Sequence, residues 1–165
     1  MIEIEDNTHL LGPKEGLFYY DRQTIDLPCT VDPLKAWNLM ISTPLPVLSG
    51  AFWIRDQISS VFGVKKIKGF SGETVDDVAR GDYLDFFLVE ARTPTTLTLT
   101  ERDVHLDVMT CLSLSNAAFS ITSSVIVHNA FGRAYMIPVG LAHPVIVKTM
   151  LRRLRKKCRQ TGHGA

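Results

Sequence analysis

The chain has 165 residues, of which 45% are hydrophobic, 8% aromatic and 21% charged, with a formal net charge of +1. That length suits one domain, and the balance excludes disordered, collagen-like and low-complexity classes. Cys29, Cys111 and Cys158 are odd in number and lack CxxC pairing, which excludes a disulfide scaffold or zinc knuckle and points to a reducing cytoplasm.

Residues 1–14 read as a loose leader ending at Gly12-Pro13, and residues 15–165 as a single domain. The acidic start lacks the basic and apolar regions of a signal peptide. Phe18-Tyr19-Tyr20 opens a strand that runs to Leu27 and closes at Pro28. Asp32-Pro33 is a helix start, with Asp32 as N-cap and Pro33 at the first helical position. That helix, holding Leu34, Trp37, Leu39 and Met40, stops before Thr43-Pro44. A second helix is expected over residues 47–62, with Leu48, Phe52, Ile58 and Phe62 on one stripe and Gly63 ending it. Residues 65–70 read as an exposed strand or connection.

Four strands follow, over 83–91, 95–101, 104–114 and 117–128. Their separators, Thr93-Pro94, Arg102-Asp103 and Ser115-Asn116, are short enough for an antiparallel meander. The uncharged stretch 108–132 contains too many Ser, Thr and Asn residues for a membrane span, so the chain is expected to be soluble and cytoplasmic. Residues 131–157 are helix-like and apolar, with Met136, Val139, Ile146, Val147, Met150, Leu151 and Leu154; Pro138 and Pro144 should start or kink this helix. The expected fold is α+β: a curved antiparallel sheet gripping a long C-terminal helix, with two short helices after the first strand. A Thr/Ser-rich meander facing an apolar helix then leaves room for a filler or a cavity.

Charge is unevenly placed. Residues 1–107 hold all 17 acidic residues and 10 of the 18 basic ones, a net −7, whereas residues 108–165 hold 8 basic residues and no acid, a net +8. Most of the latter lie in one run, with Lys148, Arg152, Arg153, Arg155, Lys156, Lys157 and Arg159. Such a run suits a helix C-terminus, where cations oppose the macrodipole, or a patch for anionic surfaces. Without interleaved aromatics, nucleic acid is not expected as a partner.

The densest polar constellation is Asp103-Val104-His105-Leu106-Asp107. On a strand, Asp103, His105 and Asp107 share one face, and the flanking carboxylates favour a basic imidazole suited to acid–base work. The same alternation describes the solvent face of a half-buried strand. His105-x-Asp107 with His128 or His143 also matches a two-histidine, one-carboxylate metal pattern. No second motif supports it, and no metal or other cofactor is expected. His128 and Asn129 join the last strand to the long helix, with Asn129 as the expected N-cap. Gly132 allows a close approach of helix to sheet, and Arg133 and Tyr135 are placed to recognise a ligand or tie helix to sheet. His143 lies on the apolar stripe of the long helix, as a core residue or a polar contact inside it. Cys158 stands among cations that lower a thiol's pKa. No GxGxxG or Walker sequence is present.

Asp103-x-His105-Leu106-Asp107, then His128-Asn129-x-x-Gly132-Arg133-x-Tyr135, His143 and the basic Met150-Leu151-Arg152-Arg153 end, resemble the family catalogued as domain of unknown function 2867 (DUF2867). Trp37 and Trp53-Ile54-Arg55-Asp56 are similar in placement. The resemblance implies a START-like (SRPBCC) helix-grip fold that binds hydrophobic or aromatic small molecules between sheet and helix. It also implies a functional link to a redox enzyme, since related domains occur fused to nucleotide-binding ones.

The leading expectation is therefore a binding module for a small hydrophobic or aromatic ligand, with Arg133, Tyr135, His143, His128 and Asn129 as polar contacts. One alternative is an enzyme of the cyclase, isomerase or hydrolase type, with His105 as base oriented by Asp103 or Asp107. Another is a partner- or membrane-docking protein using the basic helix end, although membrane contact is not the main expectation. A homodimer is the default assembly, because symmetric dimers are the commonest oligomers.

Overall fold

The computed structural model describes residues 1–4, 7–42 and 71–161. The expected helix over 47–62 and the connection over 65–70 lie outside the described residues. Alternation along the meander gives one sheet two different faces. Strands β3 (Tyr19–Asp26), β4 (Tyr83–Leu84), β5 (Phe87–Thr93), β6 (Thr96–Arg102), β7 (Leu106–Ser115) and β8 (Ala118–Val127) are antiparallel, in the order β3-β8-β7-β6-β5-β4. One face carries Leu97, Leu99, Leu112, Phe119, Ile121 and Val125, all buried. The other carries Thr96, Thr98, Thr100, Ser113, Ser120, Thr122 and Ser124, and these are buried too.

The aliphatic face is covered by α2 (Ala130–Thr161), whose buried Met136, Val147, Met150, Leu151, Leu154 and Cys158 recur at helical spacing. Burying each large aliphatic side chain contributes roughly 1.5–3 kcal/mol. Pro138 and Pro144 both lie inside this helix, which continues through them. The result is α+β, a six-stranded antiparallel sheet with a long C-terminal helix in a helix-grip-like arrangement.

Helix α1 (Pro33–Ile41) starts where the sequence places it. Asp32 Oδ1 accepts from the N–H groups of Leu34 at 2.8 Å and Lys35 at 3.2 Å. Its other oxygen pairs with Arg92 at 2.7 Å, which pins α1 to β5. The far end of α1 is held by α2: Lys157 Nζ donates to Leu39 O at 2.9 Å and Ser42 Oγ at 2.7 Å, and Arg153 reaches Met40 O at 3.5 Å. Cations beside a helix's carbonyl end are favourable. Burial, assisted by the neighbouring Arg153 charge, lowers the Lys157 pKa.

Three expectations need correction. The stretch 83–91 is two strands, not one, because Asp85 adopts a left-handed φ of 57° and turns the chain back so that Leu84 faces Phe87. Residues 1–14 are not a loose leader: β1 (Ile2–Ile4) and β2 (Thr8–Leu10) form a hairpin laid on the hydroxyl-bearing face. Leu11 N–H donates to Ser124 Oγ at 3.2 Å, His9 Nδ1 lies 2.6 Å from Thr98 Oγ1, Thr8 Oγ1 meets Ser113 Oγ at 3.4 Å, and Thr96 Oγ1 donates to Asn7 O at 3.3 Å. The Thr/Ser-rich surface thus faces mainly this hairpin rather than the long helix. The reason is polar satisfaction, since a buried hydroxyl without a partner costs ~1–3 kcal/mol and the hairpin supplies partners.

Thr8 and Leu10 of β2 are fully buried. Leu10→Ala is expected to lower unfolding free energy by about 2–5 kcal/mol in urea titrations. A change below ~0.5 kcal/mol, the range of ordinary surface substitutions, would mean that the hairpin is not part of the cooperative fold.

Candidate functional site

Beneath α2 the sheet is apolar along most of its cross-strand rows. One row is not. Between Val125–Val108 and Ile121–Leu112 runs Asp21–Ser123–Thr110, donated by β3, β8 and β7. Ser123 Oγ and Thr110 Oγ1 are 3.5 Å apart. This row parts the interior into a large cluster around Leu112, Ile121, Leu151 and Leu154 and a small one of Leu106, Val125 and Met136.

His143 descends from α2 onto the same place. Its Nδ1 lies 3.3 Å from Tyr19 Oη and 3.6 Å from Asp21 Oδ2, and its ring stands edge-on to Tyr19 with centroids 5.5 Å apart at 79°. Gln23 Nε2 donates to Asp21 Oδ2 at 2.9 Å and to Pro144 O at 3.0 Å, linking strand to helix. Tyr19, Asp21 and Gln23 reach one site because strand periodicity turns every second residue to the same face. Sequence reasoning missed all three. The available signal was Tyr-x-Asp-x-Gln at alternate positions of the first expected strand.

Burial holds the His143 pKa below the ordinary imidazole value, against an opposing pull from Asp21. The imidazole is therefore predominantly neutral at pH 7, and its contact with Asp21 is mainly that of a neutral ring beside a carboxylate. Burial, and then the Asp21 charge, pushes the Tyr19 phenol up to about 12, so it keeps its proton. The site offers a neutral imidazole 3.3 Å from a phenol oxygen and 3.6 Å from a carboxylate oxygen.

The residues singled out from sequence fall elsewhere, apart from His143. Asp103 Oδ1 accepts from the N–H groups of His105 at 2.6 Å and Leu106 at 3.0 Å, closing an Asx-type loop. That loop ends the extended backbone, so β7 begins at Leu106 and the expected strand face of Asp103, His105 and Asp107 does not form. The His105 ring lies against Phe131, centroids 4.4 Å apart, with Nδ1 3.0 Å from Asn129 Nδ2. Asp107 pairs instead with His128 at 3.2 Å, on the hairpin-facing side of the sheet. Neither carboxylate orients the His105 ring, which sits at the first turn of α2 against Phe131, and Asp107 lies on the sheet face turned away from α2.

Asn129 caps α2, its Oδ1 accepting from Gly132 N–H at 3.0 Å and its Nδ2 donating to Val104 O at 3.0 Å. A Cβ on Gly132 would lie 2.5 Å from His105 O, so glycine is required for this junction. Tyr135 stacks on Phe131 with centroids 6.5 Å apart, and Arg133 is exposed. Cys158 also departs from expectation: buried among apolar neighbours and hydrogen-bonded to Cys29, its thiol is pushed up to about 12 rather than activated. Among the described residues no three His, Cys, Asp or Glu side chains converge as metal ligands.

A family model described as Protein of unknown function (DUF2867) matches residues 14–150. The chain belongs to this family. The span shared with DUF2867 contains Tyr19, Asp21, Gln23 and His143, whereas the β1–β2 hairpin precedes it. No curated protein and no solved structure matches the chain.

Because folding keeps His143 neutral, the unfolded chain binds the extra proton below pH 6.5. The stabilisation is complete above 6.5 and declines as pH falls below it. In NMR titrations His143 should titrate below 6.5, and His143→Gln should flatten the loss of stability on that acid side. A midpoint at or above 6.5 would contradict this account of its burial.

Proposed function

We propose that this DUF2867 chain is a START-like (SRPBCC) helix-grip domain that binds a small hydrophobic or aromatic molecule between the sheet and α2. The observation that carries this reading is the polar row Asp21–Ser123–Thr110, capped by His143 and Tyr19, inside a largely aliphatic interface. Apolar residues of similar size would pack this interface without the desolvation cost of a half-buried carboxylate. A polar group kept there suits recognition, and recognition sites are commonly apolar with a few convergent polar atoms. Asp21 disfavours an anionic ligand. The occupant is therefore a neutral or cationic molecule with an apolar or aromatic body and a hydroxyl or amine, which donates to Asp21 or exchanges hydrogen bonds with Ser123, His143 and Tyr19.

A second reading, acid–base catalysis, is favoured by one observation. A neutral imidazole beside a carboxylate has the charge state of a general base, and that pair is His143 with Asp21 rather than His105 with Asp103 or Asp107. Cyclase, isomerase and hydrolase chemistry would all use such a pair on a bound ligand.

Native mass spectrometry of freshly purified protein should reveal a non-covalent organic adduct that is absent from the denatured mass. The neutral dye Nile red should bind saturably, with blue-shifted emission, and compete with that adduct. Ser123→Val, which makes the row more apolar, should preserve or raise the melting temperature while weakening adduct binding about tenfold, one lost hydrogen bond's worth. A bare native mass together with no saturable Nile red signal would sink the binding proposal.

A further inference from the structure

We infer that the outward face of α2 is a docking surface for an anionic lipid membrane. Ala134, Ile137, Leu141, Val145, Lys148, Arg152, Arg155 and Arg159 follow one another by three or four residues and share one side of the helix. All are exposed, and the three large aliphatics among them are strongly so: Ile137 at 68%, Leu141 at 77% and Val145 at 57%. The face is apolar over its first half and cationic over its second, along ~33 Å from Ile137 to Arg159 at 1.5 Å per residue.

Charge decides the occupant. Every acidic residue of the chain lies before residue 108, so this face presents cations with no acidic residue on its own helix. Arg153 and Lys157, from the same basic run, turn inward to hold the end of α1, which separates structural cations from outward ones. Two copies meeting in parallel through this face would bring their arginines together, whereas lipid phosphates would neutralise them. Exposed aliphatics next to a basic stretch match the two attractions of peripheral membrane binding, shallow apolar burial and headgroup charge. By length and composition α2 would also suffice to cross a bilayer. Its opposite side, however, is committed to the sheet through Val147, Met150, Leu151 and Leu154, so the helix lies along the membrane surface rather than through it.

The full chain should float with vesicles of equimolar phosphatidylcholine and phosphatidylserine, and remain behind with phosphatidylcholine alone. Binding should weaken steeply as salt is raised. The double substitution Arg152→Gln with Arg155→Gln should reduce partitioning about thirty-fold, at ~1 kcal/mol for each basic residue near the surface. Leu141→Gln, which leaves the charge unchanged, should reduce it about tenfold through lost apolar burial. Both variants alter exposed positions and should melt as the parent does. Absence of flotation at low salt, equal flotation with neutral vesicles, or parent-like binding by both variants would overturn the inference. So would a dimer that Leu141→Gln dissociates in a chain that ignores vesicles, since the face would then belong to a second copy.

Discussion

Burying both faces of one antiparallel sheet is the constraint on which the other features depend. A sheet with one wet face needs a single cover, and α2 alone would have served. Here the second face carries Thr96, Thr98, Thr100, Ser113, Ser120, Thr122 and Ser124, and all are sequestered. Hydroxyls tolerate burial when they find partners, and many do so across strands or from the β1–β2 hairpin. Thr24 and Ser120 are 2.8 Å apart, and Leu11 N–H reaches Ser124. The first residues of the chain thereby become structural.

The long helix divides its circumference among three tasks. Its inner side closes the aliphatic core, while Arg153 and Lys157 turn to the carbonyl end of α1. The remaining side carries exposed aliphatics and cations. His143 belongs to the inner side yet meets a polar row instead of the core, because Asp21, Ser123 and Thr110 interrupt the aliphatics opposite it. A polar seam within a packed interface costs stability that apolar residues would recover, and such local inconsistencies tend to mark sites of recognition or chemistry.

Much of the architecture was legible from residue patterns. Asp32-Pro33 marked the start of α1, the last three meander strands appeared within a residue or two of their observed limits, and Asn129 and Gly132 announced the cap and close approach of α2. The site was far less legible. Asp103, His105 and Asp107 form a conspicuous cluster by sequence spacing, yet an Asx-type loop separates them and sends each to a different partner. Tyr19 and Asp21 were inconspicuous because their partner, His143, is more than a hundred residues away.

Local sequence, then, determined the identity of the elements, since caps, turns and periodicity act within a few residues and need no distant partner. Only the tertiary structure decided what each face meets. Strand alternation shows that Ser and Thr share a side, but not whether that side receives a helix, a hairpin or water. Register places Asp21 beside Ser123 and Thr110, and the seating of α2 brings His143 over them. Those pairings are set by packing the whole sheet, because shifting one strand by a residue would turn all its side chains to the opposite face.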